Sequence, residues 1–466
     1  MMAKAVKIEV TSRQMIKPSS PTPPEKSSLK LSIMDELNYV TATPLTLFYP
    51  APDAGQQDVT VPRPERLKSS LADALTLYYP YAGELRASNV IECNDAGIEF
   101  VECNVAGTLS DVVFRCPDLD LLDSFLSIDD LNSADRYVGG QIKTLAFSCG
   151  GLAVAISMTH KVGDGISMFA FIRAWVAAAV AKENSTTISS EHHPTFASNS
   201  IVPSSSDLAV PLPRLPPAQK EQIKATTRRF VIEAEAIKRI QARCVSDAVE
   251  RPTRSEALTA IVWRSLMKIN RAKRIAAGRQ GHKEKSILIQ ATNWRQQLDP
   301  PLPRTLVGNL SGKFVCRIEE GSSKDLKALA AYLRAGQAES GKPMMKGNNL
   351  AEEEAQGIIE FVREVQEVTT RGDVDIYSFS SLLSSFRLYD IDFGWGKPAW
   401  VVFTNLIIKN YVIFIEDIDR SVEILISTGE DDGRMLENDE ELLEFASVNP
   451  PVVRGLRPSV ALQSRI

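Results

Sequence analysis

Apolar residues recur along the chain at two spacings, one typical of helices and the other of strands. Leu67–Tyr79 has apolar residues at helical spacing, so this segment predicts a helix. Gln141–Cys149 and Leu152–Thr159 are strand-like runs joined by Gly150-Gly151, a pair that suits a tight hairpin turn. The second run is almost entirely apolar, which is typical of a strand buried on both faces.

The remaining pattern continues this mixture of strands and helices. A second hairpin is predicted for Val90–Cys93 and Ile98–Glu102, around a turn at Asn94–Gly97. Thr253 and Glu256 have capping-box spacing, which marks the start of a helix. Further helices are predicted at Ile166–Val180, Ala234–Cys244, Glu256–Ile269 and Glu354–Thr369, and further strands at Arg229–Ile232, Ile287–Ala291, Lys313–Cys316, Trp400–Thr404 and Val412–Ile415.

The chain is too long for a single hydrophobic core. It has 466 residues, and single cores stop growing at roughly 250–300 residues. Composition shifts to Ser, Thr, Pro and Asn between Asn184 and Glu221, which indicates a linker. We therefore predict an α/β protein of two similar-sized domains, 1–205 and 226–466, joined by a Pro/Ser-rich crossover linker at 206–225. Each domain is expected to be a mixed sheet with covering helices.

Composition and net charge restrict the kinds of partner that the protein is expected to bind. Hydrophobic residues make up 44% of the chain and the net charge is −5, so no basic surface for nucleic acid is expected. No apolar run reaches the ~18–20 residues that span a bilayer, and no secretory signal is visible, so we expect a cytoplasmic protein without a membrane partner. The terminal Ser464-Arg465-Ile466 is similar to a peroxisomal address and keeps that alternative open. No motif demands association, so a monomer is expected.

One histidine stands in a setting that suits proton transfer. His160 follows the apolar strand run, and Asp164 lies four residues later, between Gly163 and Gly165. A neutral imidazole at a strand exit could deprotonate a hydroxyl group. Asp164 has an alternative role as the N-cap of the following helix. A metal site is not expected, since no third ligand lies nearby and the six cysteines are scattered without zinc-like spacing.

Further motifs are shared with a known enzyme family. They are Tyr79–Gly83, Phe147–Gly151, Thr159–Gly165, Asn293-Trp294-Arg295, Pro300–Pro303, Gly308-Asn309 and Asp392–Gly396. In this order they run through nearly the whole chain. Together they resemble the signatures of the plant BAHD acyltransferases, and within that family the alkaloid O-acetyltransferases.

The resemblance implies a fold like chloramphenicol acetyltransferase, with an active-site channel between the two domains. It implies acyl-CoA, most often acetyl-CoA, as a co-substrate and no permanently bound cofactor. The second substrate would be a small alcohol, such as a hydroxylated alkaloid or terpenoid. His160 would be the general base of a direct transfer in a ternary complex, and Asp164 would face away from substrate and pair with Arg295.

Other site residues follow from the same resemblance. Asp392, Gly394 and Trp395 would support the fold at a distance from the reacting atoms. Contacts to coenzyme A are expected from Thr253 and Arg254, since a helix N-terminus suits an anion. Lys313 is a further candidate for these contacts.

The chain departs from the family beside the expected oxyanion site. Leu383 stands where the family often has tryptophan, and Ser381 or a backbone amide is the expected substitute donor. Losing one oxyanion donor costs on the order of 100- to 1000-fold in kcat. Two alternatives therefore stay open: a catalytically weak homologue that binds a metabolite, and a lyase or hydrolase that reuses His160.

Overall fold

The computed structural model describes residues 6–38, 44–51, 63–87, 89–126, 139–208, 212, 225–278, 285–319, 321–339, 345–346, 349–371, 374–383, 386–404, 406 and 408–453. Strands in these residues are β1 (Ile8–Ile16), β2 (Ser28–Lys30), β3 (Leu45–Tyr49), β4 (Glu84–Ala87), β5 (Val90–Glu92), β6 (Ile98–Val105), β7 (Gly140–Phe147), β8 (Leu152–Met158), β9 (Ala225–Ile232), β10 (Ser286–Asn293), β11 (Ser311–Ile318), β12 (Met345–Lys346), β13 (Asn349–Leu350), β14 (Asp375–Leu382), β15 (Trp400–Phe403), β16 (Tyr411–Glu416), β17 (Val422–Gly429) and β18 (Ala446–Val448). Helices are α1 (Ile33–Glu36), α2 (Arg63–Leu77), α3 (Leu119–Leu126), α4 (Gly165–Glu183), α5 (Ser198–Ile201), α6 (Ala234–Cys244), α7 (Arg254–Ala276), α8 (Leu326–Glu339), α9 (Glu352–Arg371), α10 (Glu430–Leu436) and α11 (Glu440–Leu443).

The strands form two large mixed sheets, as predicted. The first has six strands in the order β1-β6-β7-β8-β3-β15, with β6 and β7 parallel. The second has seven strands in the order β11-β10-β14-β16-β17-β9-β18, with β14 parallel to both β10 and β16. All seven residues of β8 are buried, so the prediction of a strand covered on both faces is confirmed. This strand leads directly into His160.

A segment of the second half of the chain belongs to the first sheet. The strand β15 pairs with β3, and apolar residues between 388 and 406 pack in the first core. Trp400 stacks on Phe48 with ring centroids 5.3 Å apart, and its indole N–H donates to Glu423 of the second sheet at 3.0 Å. The predicted second domain, 226–466, therefore contributes one of its strands, β15, to the first sheet. Trp400 of this strand is buried in the first core.

The second predicted hairpin does not form. β5 pairs with β2 and β4 in a small three-stranded sheet, whereas β6 pairs with β1 and β7 in the first large sheet. The expected turn instead anchors a distant segment, since both carboxylate oxygens of Asp95 accept hydrogen bonds from Thr22, at 2.9 and 2.6 Å. Long-range pairing of the two strands outweighs the local turn preference.

Helix α4 is the first element after the His160 loop. Its 19 residues are long and apolar enough to cross a membrane by length and composition, so the expectation that no segment is long enough does not hold for α4. However, 61% of its most apolar 18-residue stretch is buried inside the fold. Trp175 is fully buried, and its indole N–H donates to the Leu67 carbonyl of α2 at 3.1 Å. This contact identifies α4 as a core helix that fixes the direction of the loop before it.

Two predictions fall mainly outside the described residues. The linker 206–225 is described only at 206–208, 212 and 225. The terminal Ser464-Arg465-Ile466 is not described, so the peroxisomal alternative stays a prediction.

Candidate active site

His160 lies between the end of β8 and the start of α4, on a loop that the second half of the chain holds in place. Its backbone carbonyl accepts a hydrogen bond from Asn309 Nδ2 at 2.6 Å. The same amide group and the Asn309 backbone N–H both donate to Asp35 Oδ1, each at 2.7 Å. Gly163 permits the close packing, because a Cβ there would overlap the side chain of Ser167. The position of His160 is therefore fixed from both halves.

The imidazole of His160 is partly exposed to solvent, but the protein around it removes much of its contact with water. Its side chain is half-buried, and burial lowers the pKa of His160 below its ordinary value of 6.5, against the opposing effects of the Asp164 charge and of a hydrogen bond to the Gly163 backbone. A bond that raises the pKa is one that the ring donates, so the other ring nitrogen keeps its lone pair. The ring is neutral at pH 7 and able to accept a proton.

Asp164 and Arg295 form the predicted ion pair at the centre of a buried hydrogen-bond network. Arg295 Nη1 lies 2.7 Å from Asp164 Oδ2, and the two side chains are 0% and 5% exposed. The same oxygen accepts bonds from the Leu310 N–H at 3.1 Å and Ser311 Oγ at 2.8 Å. Oδ1 accepts the Ser167 N–H at 3.0 Å, which is the predicted N-cap bond of α4. Both roles considered for Asp164 are thus filled at once.

Every nitrogen of the Arg295 guanidinium donates within the protein, and the side chain is fully buried, so it does not face a substrate. Its Nε and Nη2 donate to the Leu306 carbonyl, at 3.1 and 2.9 Å, and Nη2 also donates to the Gly308 carbonyl at 2.9 Å. Burial alone would raise the pKa of Asp164, but the charge and hydrogen bonds of Arg295 hold this pKa below its ordinary value of 3.8. The pair therefore stays ionised and joins α4 to the loop before β11.

The Asp392 loop closes on itself. Asp392 Oδ1 accepts the N–H groups of Gly394 and Gly396 at 2.8 and 2.9 Å. Gly394 has φ +99°, and a Cβ there would overlap Arg66. The indole of Trp395 stacks on Phe393 with centroids 5.5 Å apart. The aromatic pair packs on the first core, whereas the Asp392 bonds lie at the surface, and together these contacts suit a supporting role for Asp392, Gly394 and Trp395.

Ser381 lies on the helix-covered side of the second sheet. Strand residues alternate between faces, and its alternate neighbours Tyr377 and Phe379 belong to the second core, under the helices. Ser380 is on the opposite face, where its hydroxyl and that of Tyr411 are 2.9 Å apart. No hydrogen bond among the described residues joins Ser381 to the His160 loop, so its predicted oxyanion role stays a prediction.

The three residues predicted to contact coenzyme A occupy two faces of the second sheet. Thr253 caps α7 through a complete capping box with Glu256, as predicted. Arg254 forms an ion pair with Glu416 and donates to the Arg420 carbonyl at 2.7 Å. This helix lies on the second-core face. Lys313 is on the other face, because its neighbour Phe314 points into the second core. The sheet therefore separates Lys313 from Thr253 and Arg254.

The sequence did not predict the brace, by which we mean the two hydrogen bonds that Asn309 donates to Asp35. The sequence places Asn309 in the Gly308-Asn309 motif but indicates no role for its side chain. A signal for Asp35 exists, because Ser32 and Asp35 have capping-box spacing, and the structure shows that box at the start of α1. What the spacing does not reveal is that the second carboxylate oxygen reaches Asn309.

Comparisons with known proteins agree with this architecture. The model of the Transferase family matches residues 6–443. Deacetylvindoline O-acetyltransferase of Catharanthus roseus is 33% identical over 465 residues, which cover 95% of this chain and 98% of that protein. Akuammiline synthase 1 of Alstonia scholaris is 32% identical, with 94% and 97% of the two chains covered. The crystal structure of vinorine synthase matches with a TM-score of 0.77 at 28% identity, over 96% of this chain and 100% of that chain.

Two buried sheets, a histidine held between them and these full-length matches define an acyltransferase. The chain belongs to the BAHD transferase family. The fold extends to more distant proteins, since F. graminearum TRI101, solved with ethyl coenzyme A, matches with a TM-score of 0.61 at 14% identity.

Proposed function

We propose that this chain transfers an acyl group, most often acetyl, from acyl-CoA to a hydroxyl of a plant specialised metabolite such as an alkaloid or terpenoid. The names of the relatives support an O-acetyl transfer, since they include deacetylvindoline O-acetyltransferase and minovincinine 19-hydroxy-O-acetyltransferase. The epi-neemfruitin B 7-O-acetyltransferase of Melia azedarach, which is 28% identical, likewise supports an O-acetyl transfer.

The observation that carries the proposal is a neutral, half-exposed His160 on a fixed loop. Its free ring nitrogen takes the proton of the acceptor hydroxyl as the oxygen attacks the thioester carbonyl carbon. The tetrahedral intermediate then collapses, the C–S bond breaks, and the proton on His160 passes to the departing thiolate. No covalent acyl-enzyme is needed when both substrates are bound together.

Asp164 and Arg295 act through position rather than contact with substrate. All the polar atoms of this pair are bonded within the protein. Their function in the proposal is to keep the loop from shifting when the ring becomes positively charged. A displacement of about 1 Å at a catalytic group is enough to cost on the order of 100-fold in rate.

The acyl donor is proposed to approach the start of α7. The helix N-terminus at Thr253 offers unpaired N–H groups and a positive dipole end, which favour a phosphate. Arg254 lies at the first helical position, and its charge is at present shared with Glu416. A bound phosphate would compete with Glu416 for the guanidinium group.

A second candidate function is a metabolite-binding homologue with little turnover. Leu383 packs half-buried against the second core, and Ser381 lies on the same side. Neither supplies an evident donor to an oxyanion beside His160. A hydrolase that reuses His160 is a further outcome of the same test.

The test is release of free thiol from acetyl-CoA in the presence and absence of a panel of alcohols. Release that requires an alcohol supports acyl transfer. Release without any alcohol supports hydrolysis. Acceptor binding by calorimetry without thiol release supports the binding homologue and contradicts the proposed transfer.

A further inference from the structure

Lys313 stands on the face of the second sheet that turns toward the first half of the chain. Ser311, Lys313 and Val315 alternate along β11 with residues of the second core, so they share the opposite face. Val315 packs against residues of α9, and Ser311 Oγ donates to Asp164 at 2.8 Å. Lys313 therefore lies between α9 and the loop that carries His160, about 7 Å along the strand from Ser311.

The surroundings of Lys313 are those of a recess open to water. Its side chain is exposed to solvent, yet burial by the surrounding protein lowers the pKa of its ammonium group. Because α9 and the His160 loop flank this stretch of β11, the exposed Lys313 side chain lies in a recess between them. Within the described part of the chain, no carboxylate lies within ion-pair distance of Lys313. A cation without a counter-charge in a recess favours an anion supplied from outside.

The residues next to Lys313 on the same face of the second sheet are small or carry a hydroxyl group. Its cross-strand partner in β10 is Ala291, which is also exposed. The register of β10 with β14 pairs Gln290 with Phe379, so Ala291 is followed across the sheet by Ser380. Two strand spacings, about 10 Å, separate the Cα atoms of Lys313 and Ser380, and Ala291 is the residue of the middle strand between them.

At the end of this row away from Lys313, the sheet face carries a pair of hydroxyl groups. Ser380 Oγ and the Tyr411 hydroxyl lie 2.9 Å apart, and Tyr411 is half-buried against the first core. The pair can donate one hydrogen bond and accept others. Lys313, Ala291, Ser380 and Tyr411 thus form a row with a cation at one end and hydroxyl groups at the other.

The row is on the opposite face from the proposed donor site. Gln290 alternates with Ala291 and donates to Ser255 of α7 at 3.2 Å, so α7 and its N-terminus lie across the sheet from Lys313. If the acyl donor approaches Arg254, Lys313 is on the side left for the acceptor.

We propose that Lys313 recognises a carboxylate on the acceptor alcohol, with the Ser380–Tyr411 hydroxyl pair as the second contact. This inference rests on the proposed acyl transfer and names its acceptor class: a hydroxylated metabolite with an acidic group, in preference to one with a protonated amine. It moves Lys313 from the predicted donor contacts to the acceptor side.

The test compares three benzyl alcohols of nearly equal shape: 4-(hydroxymethyl)benzoate, its methyl ester and 4-(aminomethyl)benzyl alcohol. Acetyl transfer gives kcat/KM for each, and calorimetry gives their binding constants independently of turnover. The variants are Lys313→Met, which keeps the stem without the charge, and Lys313→Arg. Lys238→Met is the matched control, since Lys238 is 68% exposed on α6, away from this row.

The intact enzyme is expected to favour the carboxylate over the ester by roughly 10- to 100-fold, as for a hydrogen bond to a charged group. Lys313→Met should abolish the preference, Lys313→Arg should keep part of it, and Lys238→Met should keep all of it, with the KM for acetyl-CoA unchanged in each. A preference that is absent from the intact enzyme, or that survives in Lys313→Met, overturns the inference. So does a raised KM for acetyl-CoA with an unchanged acceptor ratio. If calorimetry shows the preference but no transfer occurs, the proposed function fails while the role of Lys313 stands.

Discussion

Replacing Arg295 by methionine should destabilise the protein far more than an ordinary loss of charge. Arg295 is fully buried, and its removal leaves the Asp164 carboxylate buried without a counter-charge, together with the Leu306 carbonyl, which loses both bonds that Arg295 donates to it. Breaking a buried pair in this way costs about 3–5 kcal/mol. For a cooperative unit of 150–250 residues, that corresponds to a fall in Tm of roughly 6–20 °C.

The assay is thermal unfolding followed by circular dichroism, with Arg317→Met as the matched control. Arg317 pairs with Glu364 on the surface, where the two side chains are 45% and 47% exposed, and such pairs contribute about 0–1 kcal/mol. A Tm for Arg295→Met within 2 °C of the control would refute the reasoning, since it would mean that the Asp164 charge is satisfied without its partner.

The same variant has a predictable pH dependence. In the intact protein the pKa of Asp164 is lowered by Arg295, so the stability that it contributes is present above the ordinary value of 3.8 and is lost as the pH falls through the lowered pKa. In Arg295→Met the largest effect that opposes burial is lost and the hydrogen bonds from Ser167, Leu310 and Ser311 remain, so we expect the pKa of Asp164 to rise. Protonation then relieves the buried charge, so the Tm deficit should be smaller at pH 5 than at pH 8. An equal deficit at both values would contradict the electrostatic cause.

Two further predictions concern the reaction. The acid limb of kcat/KM should have its midpoint below pH 6.5, because burial lowers the pKa of His160 and the neutral ring is the active form; a midpoint above 6.5 would contradict this. Leu383→Trp should raise kcat by up to about 100-fold if a missing oxyanion donor limits the rate, whereas Leu383→Phe, an aromatic ring without an N–H, should not. Equal gains in both variants would indicate a packing effect instead.

The sequence was most informative where local rules decide the structure. The apolar run before His160 is a fully buried strand, and Thr253 begins its helix with the predicted capping box. Helix α7 extends beyond the predicted end at Ile269, to Ala276, because its last turns are polar and lose the apolar spacing. Strand β14 was not predicted, since four of its eight residues are Asp or Ser, which are poor strand formers.

The structural features that the sequence did not predict depend on contacts between residues far apart in the chain. The pairing of β15 with β3 joins residues about 350 positions apart in the chain, and nothing local to Trp400 specifies it. Ser380 and Ser381 are consecutive in β14 and so point to opposite faces of the sheet. The register of the strand therefore decides which of the two hydroxyl groups faces the first half of the chain. The brace between Asp35 and Asn309 likewise forms only when both halves are folded.

The most direct measurement is a single-turnover assay of His160→Ala with acetyl-CoA and an accepted alcohol, after its Tm has been compared with that of the intact enzyme. A base removed from a half-exposed loop position should lower the rate of acyl transfer by about 100- to 10,000-fold while leaving Tm within a few degrees. Near-normal transfer by a folded His160→Ala protein would contradict the role assigned to this histidine.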